Sequence, residues 1–304
     1  MTKKLIFYFL LLTILNLLSC GKKEEIKTIN LSQPEKEVEL KIPENALRVG
    51  VATVISPKEG FLYYKELLDY IGEKMSRPII LKQGCYEEIN RLLKSKSLDF
   101  AFICSGAFID AAEKSAVELL VIPVVNNKTV YYSYIIVHKE SKIRNWVDLK
   151  GKSFAFVDPL SSSGYLFPVF LLAKEGKIYQ SYFSRTIFTY SHDNSIIAVA
   201  EKLVDAAAVD SLVYDWLSET NPELISKTKI ILISPPFGVP PVVVPKNINV
   251  KLKEELIKIF INLDKDEQGK KILTKLRINK FVKRNDKIYD SIRMMKAKVK
   301  EVGD

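Results

Sequence analysis

Three features of the chain predict an α/β protein built of βα units, each sheet mainly parallel and flanked by helices. From Ala46 onward, short apolar runs of strand length alternate with longer amphipathic stretches, the trace that βα units leave in a sequence. About 260 residues follow Ala46, which is large for one core and comfortable for two small ones. Two strands end at a hydroxyl–glycine pair that opens a helix, Ser105-Gly106 and Ser163-Gly164, as expected where ligands collect at the carboxyl edge of an open sheet. Hydrophobic residues make up 47% of the chain, so the body is globular, and no repeat of solenoid period is present.

At the N-terminus, Lys3 and Lys4 precede an uncharged apolar run over 5–18, followed by Ser19-Cys20-Gly21. The run is too short to span a membrane and has no stop-transfer flank, so 1–19 reads as a secretory signal peptide. Leu17-Leu18-Ser19-Cys20 resembles the lipobox of bacterial lipoproteins, in which cleavage leaves the cysteine as a lipidated N-terminus. Residues 20–45 are charged, contain proline and are almost free of aromatic side chains, the composition of a tether between membrane and domain.

The first unit places strands at 47–51, 79–81 and 99–104, with helices at 58–75 and 87–93 between them. Ser105-Gly106 then opens another helix, and 117–125 and 131–137 are further strands. A second sheet begins at 153–157, apolar and partly β-branched or aromatic, broken by Asp158-Pro159. It continues with a strand at 185–189, a polar loop at 191–194, a helix at 195–203 and a strand at 205–210. Small apolar residues ending at an acid make that last strand a buried one that delivers Asp210 to the sheet edge. A strand at 230–234, a stiff proline turn at 235–241, a strand at 242–244 and helices at 252–263, 267–276 and 286–299 complete the chain.

The loop Asp158-Pro159-Leu160-Ser161-Ser162-Ser163-Gly164 carries the chemistry. Pro168 requires the following helix to start only a few residues upstream, near Ser163. Three serines and a glycine therefore surround a helix start, where amides lack intrahelical partners and the peptide dipoles leave partial positive charge. The plain alternative is that a serine simply caps the helix. Leu160-x-Ser162-x-Gly164 also approaches a nucleophile elbow, but it lacks the first glycine and no Asp stands between Ser162 and His192, the one later histidine. Gly151-Lys152-Ser153 ends like a phosphate-binding loop, yet it enters a strand and Trp146 stands where the first glycine is needed.

His192, between Ser191 and Asp193 at the same sheet edge, is a candidate contact; His138 lacks such a setting. Tyr63, Tyr64, Tyr131, Tyr132 and Tyr134 read mainly as core or hinge packing, with one or two expected to reach a ligand through their hydroxyls. Apart from Cys20, only Cys85 and Cys104 are present, too few for a disulfide scaffold or a cysteine zinc site; an oxidising compartment allows a single bridge, and buried free thiols are the preferred reading. The net charge is +10, of which +7 falls after Val250. A signal peptide removes nucleic acid as a partner, leaving solvated helix faces or attraction to anionic lipids and solutes.

Taken together, Asp158-Pro159-x-Ser161-Ser162-Ser163-Gly164-Tyr165, Ser191-His192-Asp193 and Val204-Asp205-Ala206-Ala207-Ala208-Val209-Asp210 resemble the phosphonate, phosphite and phosphate substrate-binding lipoproteins of bacterial ABC importers. The resemblance includes Asp148-Leu149-Lys150-Gly151-Lys152 and Tyr289-Asp290-Ser291-Ile292-Arg293. It implies a type II periplasmic-binding-protein fold, with lobe I from 46–132 and 238–304, lobe II from 133–237, and ligand in the interlobe cleft. It also implies that Ser161, Ser162 and Ser163 cradle the oxyanion, that His192 is a further donor and Asp210 the second-lobe carboxylate, and that Tyr64 and Ser105 face them from lobe I. Members that grip an aminoalkyl tail use extra acidic residues in the second lobe, where only Asp210 stands out here.

The expectation is a non-enzymatic solute receptor, lipid-anchored on the extracytoplasmic side, monomeric, without cofactor or metal and without nucleic acid as partner. It would close around a small phosphorus oxyanion and deliver it to an ABC permease. The alternatives are a sensing input protein of the same fold, or a secreted hydrolase using Ser162.

Overall fold

The computed structural model describes residues 43–303. The signal peptide expected at 1–19, the lipidation site Cys20 and the tether up to residue 42 lie outside the described residues. Among the described residues, no helix is long and apolar enough to cross a membrane.

Lobe I starts with β1 (Leu47–Ala52), β2 (Ile79–Gly84), β3 (Phe100–Phe102) and β4 (Val117–Val124), linked by helices Pro57–Met75, Tyr86–Lys94 and Ser105–Glu113. The chain leaves through β5 (Val130–Tyr131) into β6 (Ser133–His138), β7 (Ser153–Phe156), β8 (Arg185–Phe188), β9 (Ala206–Asp210) and β10 (Thr228–Ile233), which form lobe II. It returns through β11 (Phe237–Gly238) to β12 (Val242–Pro245) and β13 (Lys280–Val282). The sheet orders are β13-β4-β12-β3-β1-β2 and β10-β6-β9-β7-β8. The two passages between lobes pair with each other, Tyr131 opposite Phe237 and Val130 opposite Gly238.

The sheets are mixed. β1 runs parallel to β2 and β3, and β7 parallel to β8 and β9, as helical crossovers require. β6 is antiparallel to β9, placing Ser133 opposite Asp210. The reason lies in the passages: β6 begins at one of them and runs away from the cleft, whereas β9 ends at the cleft. β12 is likewise antiparallel to β3 and β4.

All of β9 is buried, since it lies between β6 and β7 with helices over the sheet, and its three alanines let helix His192–Ala200 approach closely. Behind the serine loop, Phe154 stacks on Phe183 at 4.5 Å and packs against Phe156 at 5.1 Å. Aromatic pairs of this kind contribute about 0.5–1.5 kcal/mol beyond area burial and hold β7 in place.

Several elements differ from the sequence expectation. The helix expected at 195–203 starts at His192, because Ser191 caps it by accepting from the Asn194 N–H at 3.4 Å. The proline turn contains β11. Helix Ser211–Thr220 and β13 were not expected. Cys85 and Cys104 are both free, in line with the preferred reading, although only Cys104 is buried and Cys85 is half-buried.

A cradle of unpartnered donors in the interlobe cleft

The Asp158 carboxylate shapes the loop after β7. It accepts from the Leu160 N–H at 2.8 Å and, across the cleft, from the Tyr86 N–H at 3.4 Å. The helix then starts as a single wide turn, Ser162–Leu166, with Leu166 N–H reaching back to the Ser161 carbonyl at 2.9 Å. Ser161 spends its Oγ on the Gly164 N–H at 2.9 Å, so the capping role falls to this serine. Gly164 is required here because a Cβ would lie 2.6 Å from the Val157 side chain.

Ser162 and Ser163 are fully buried, and neither Oγ has a partner. The Ser163 carbonyl accepts from Ser133 Oγ at 2.7 Å, tying the turn to the start of β6. His192 is also fully buried. Its Nδ1 accepts from the Asp210 backbone N–H at 2.9 Å, so the ring proton resides on Nε2, which is buried and unpartnered. Burial lowers the His192 pKa to about 3, and the ring is a neutral donor at every physiological pH.

Asp210 ends β9 and caps helix Ser211–Thr220, its Oδ1 accepting from the Leu212 N–H at 2.7 Å. Burial raises its pKa to about 7, opposed by the Leu212 and Val213 amides. From lobe I, Ser105 Oγ lies 3.0 Å from Tyr131 OH, and Tyr86 OH is buried without a partner. Burial holds both tyrosine hydroxyls well above their ordinary value, and Asp210 adds to the effect.

The lobes meet around these groups. A Cβ on Gly106 would stand 2.3 Å from the Leu160 carbonyl and 2.9 Å from Ser162 Oγ, so helix Ser105–Glu113 abuts the serine loop directly. Ser56 N–H donates to both Asp193 oxygens at 3.0 and 3.1 Å, and His192 N–H to the Val54 carbonyl at 2.9 Å. Arg277 grips the Glu219 carboxylate with both terminal nitrogens.

Tyr64 sits with Asp210 on the wall of an adjoining cavity of 460 Å³, which the serines do not line. Among the described residues, no group of His, Cys, Asp and Glu could hold a metal ion.

Residues 49–289 match the family of periplasmic substrate-binding proteins of phosphonate ABC transporters. The chain belongs to this family. Over 150 residues it is 34% identical to the phosphonates-binding periplasmic protein of Escherichia coli (strain K12), covering 48% of this chain. That alignment spans 44% of the relative's length. The fold is similar to the crystal structure of a binding-protein component of an ABC phosphonate transporter from Pseudomonas aeruginosa. The TM-score is 0.81 at 24% identity, over 86% of this chain and 88% of that one. It is also similar to PhnD1 from Prochlorococcus marinus (MIT 9301) in complex with methylphosphonate, with TM-score 0.76 at 20% identity over 84% and 98% of the two chains. At such identities the two structures speak for the fold, a type II periplasmic-binding architecture of two sheet-and-helix lobes.

Of the two tyrosine hydroxyls that border this cleft, sequence reading pointed to neither one specifically. Tyr86 opens a helix behind Cys85, one residue before the expected helix, and Tyr131, one of the five tyrosines read as core, hinge or ligand-reaching, lies in the passage between lobes. A signal existed for Tyr131 alone, through its place at the predicted crossing.

Proposed function

We propose that this protein captures a small phosphorus oxyanion, a phosphonate, phosphite or phosphate, between its lobes and delivers it to an ABC permease. Lobe I would comprise 46–132 and 238–304, and lobe II 133–237. The observation that carries this reading is the set of buried donors without partners, Ser162 Oγ, Ser163 Oγ, His192 Nε2 and Tyr86 OH. A buried polar group left unmade costs about 1–3 kcal/mol, and four in one cleft make sense as a site for an acceptor-rich anion. Ser161 shapes the turn, Ser105 holds Tyr131, and Asp210 shares a proton with the ligand; Tyr64 lines the entrance to Asp210. Family membership and the likeness to a methylphosphonate complex support the same ligand class.

Hydrolysis through Ser162 is disfavoured by the histidine. A base for Ser162 would need an unprotonated nitrogen facing it, but the Nδ1 lone pair is taken by the Asp210 amide and Nε2 carries the proton. The two groups also make no hydrogen bond to each other.

Calorimetric titration with phosphate, phosphite, methylphosphonate, 2-aminoethylphosphonate and sulfate tests the ligand class. At least one phosphorus compound should bind in the micromolar range or tighter, and sulfate far more weakly; binding of none would refute the proposal. Anchoring through Cys20 on the extracytoplasmic side rests on the Leu17-Leu18-Ser19-Cys20 motif. Cys20→Ser should abolish incorporation of labelled palmitate, and label retained on the variant would count against anchoring.

A further inference from the structure

We infer that Arg277 and Glu219 form a latch between the lobes, a pair of positioning residues that hold the cleft shut over the ligand without touching it. This deepens the proposed function and rests on it. Among the described residues, theirs is the only ion pair that joins the two lobes: Arg277 Nη1 of lobe I donates to Glu219 Oε1 of lobe II at 2.7 Å, and Nη2 donates to Oε2. Two parallel bonds to one carboxylate fix the orientation of the partners as well as their distance.

The place of the pair assigns it to closure rather than to folding. Both residues line the 460 Å³ cavity that Asp210 borders, and none of the unpartnered donors lines it. Asp210 is 2% exposed, whereas the Glu219 side chain is 66% exposed and that of Arg277 31%, so the pair stands at the solvent mouth of the cavity. An ion pair this exposed adds little to folding stability, because water screens it and ordering two long side chains costs entropy. A contact made only when the lobes meet does shift the balance between open and closed forms, and it does so for any ligand.

The backbone at Arg277 supplies a second observation. The residue follows helix Glu267–Leu276 with φ 56° and ψ 29°, the left-handed conformation that suits glycine best. Its N–H donates to the Thr274 carbonyl at 3.1 Å and the Ile278 N–H to the Leu273 carbonyl at 3.0 Å, the paired bonds of a helix end whose left-handed residue is most often glycine. Of the nine non-glycine residues with positive φ among the described residues, Arg277 is the one whose side chain bonds to the other lobe. Tyr63 OH donates to the Leu276 carbonyl at 2.6 Å, and the Tyr63 ring meets Trp216 edge-on at 6.0 Å. The helix end that carries Arg277 is thereby held beside helix Ser211–Thr220, which carries Glu219. Arginine at this position forgoes the backbone ease of glycine and makes a bond across the cleft.

The test measures affinity and release rate of methylphosphonate and 2-aminoethylphosphonate on the full chain, with melting temperatures alongside. Glu219→Gln and Arg277→Gly should each weaken binding at least fivefold through faster release, by the same factor for every phosphorus ligand that binds. The double variant should lose no more than about twofold beyond either single one, because both changes break the same contact. Arg277→Lys, which keeps the charge, should lose less than Arg277→Gly. Arg277→Gly should melt no lower than the wild type, since glycine relieves the backbone, whereas a purely structural pair would lose melting temperature and affinity together. Wild-type affinity in both single variants, additive losses in the double variant, or losses that differ between ligands would overturn the latch and leave the proposed function standing. If the wild type binds no phosphorus compound, the proposed function fails and the latch is read from solution scattering of the ligand-free proteins. Glu219→Gln and Arg277→Gly should then show a larger radius of gyration than the wild type, and equal radii would overturn the latch as well.

Discussion

The backbone N–H of Asp210 donates to His192 Nδ1 at 2.9 Å, so the end of one strand fixes the tautomer of a ring on the neighbouring helix. That bond aims a neutral Nε2–H donor into the cleft without bringing a titrating cation.

His192 should therefore contribute no inflection to ligand affinity between pH 5 and 8. His192→Ala should weaken methylphosphonate by about 1.5–3 kcal/mol, the scale of a hydrogen bond to a charged group. In stability the sign follows from the lowered pKa of about 3. Between that value and the ordinary 6.5 the unfolded chain binds more protons, so stability is lost as pH falls through this window. Urea melts at pH 7 and pH 4.5 should show a smaller acid loss in His192→Ala than in the wild type; equal losses would contradict a buried neutral ring.

Asp210 acts in the opposite direction. Its folded pKa is raised from 3.8 to about 7, so its contribution is fully present below the unfolded value and is lost as pH rises through 7. Asp210→Asn keeps an acceptor for the Leu212 amide and cannot ionise. It should be more stable than the wild type at pH 8, by an amount on the order of a few kcal/mol at most, with the gap closing toward pH 4. It should also narrow the preference for protonated phosphorus ligands over sulfate, because ionised Asp210 repels an anion that has no proton to share. An unchanged sulfate ratio across pH 6–8 would remove Asp210 from the site.

Gly106→Ala should separate closure from folding. Within lobe I the residue lies near a helix start and alanine is a better helix former, but its Cβ would stand 2.3 Å from the Leu160 carbonyl of lobe II. We expect an unchanged melting temperature, at least a tenfold loss of methylphosphonate affinity, and a radius of gyration in solution scattering that stays large when ligand is added. Compaction equal to that of the wild type would show that the lobes close without this contact.

Much of the site was legible because its signals are local. Ser162, Ser163 and Asp210 each stand where a short apolar run stops and a helix begins, and strand-to-helix junctions can be read without knowing the fold. Tyr86 and the sheet directions were not legible, since both depend on which lobe an element joins. β13 was hidden for a different reason: Lys280-Phe281-Val282 is too short to show alternation, and it becomes a strand only against β4. The His192 helix begins three residues before its expected start, inside the polar run 191–194, because polarity marks that run as a loop while only the bond from the Asn194 N–H to Ser191 Oγ shows where the cap lies.

The central claim is that the unpartnered Ser162 and Ser163 hydroxyls exist to hold the oxyanion. The most direct measurement is paired calorimetry and thermal melting of Ser162→Ala and Ser163→Ala with methylphosphonate. Each hydroxyl lacks a partner within the protein, so its removal should leave the melting temperature unchanged or higher, while affinity falls by about 1.5–3 kcal/mol, roughly tenfold or more. Wild-type affinity in both variants, or a loss of stability with no loss of affinity, would return the serines to the structural role of a helix start and contradict the account.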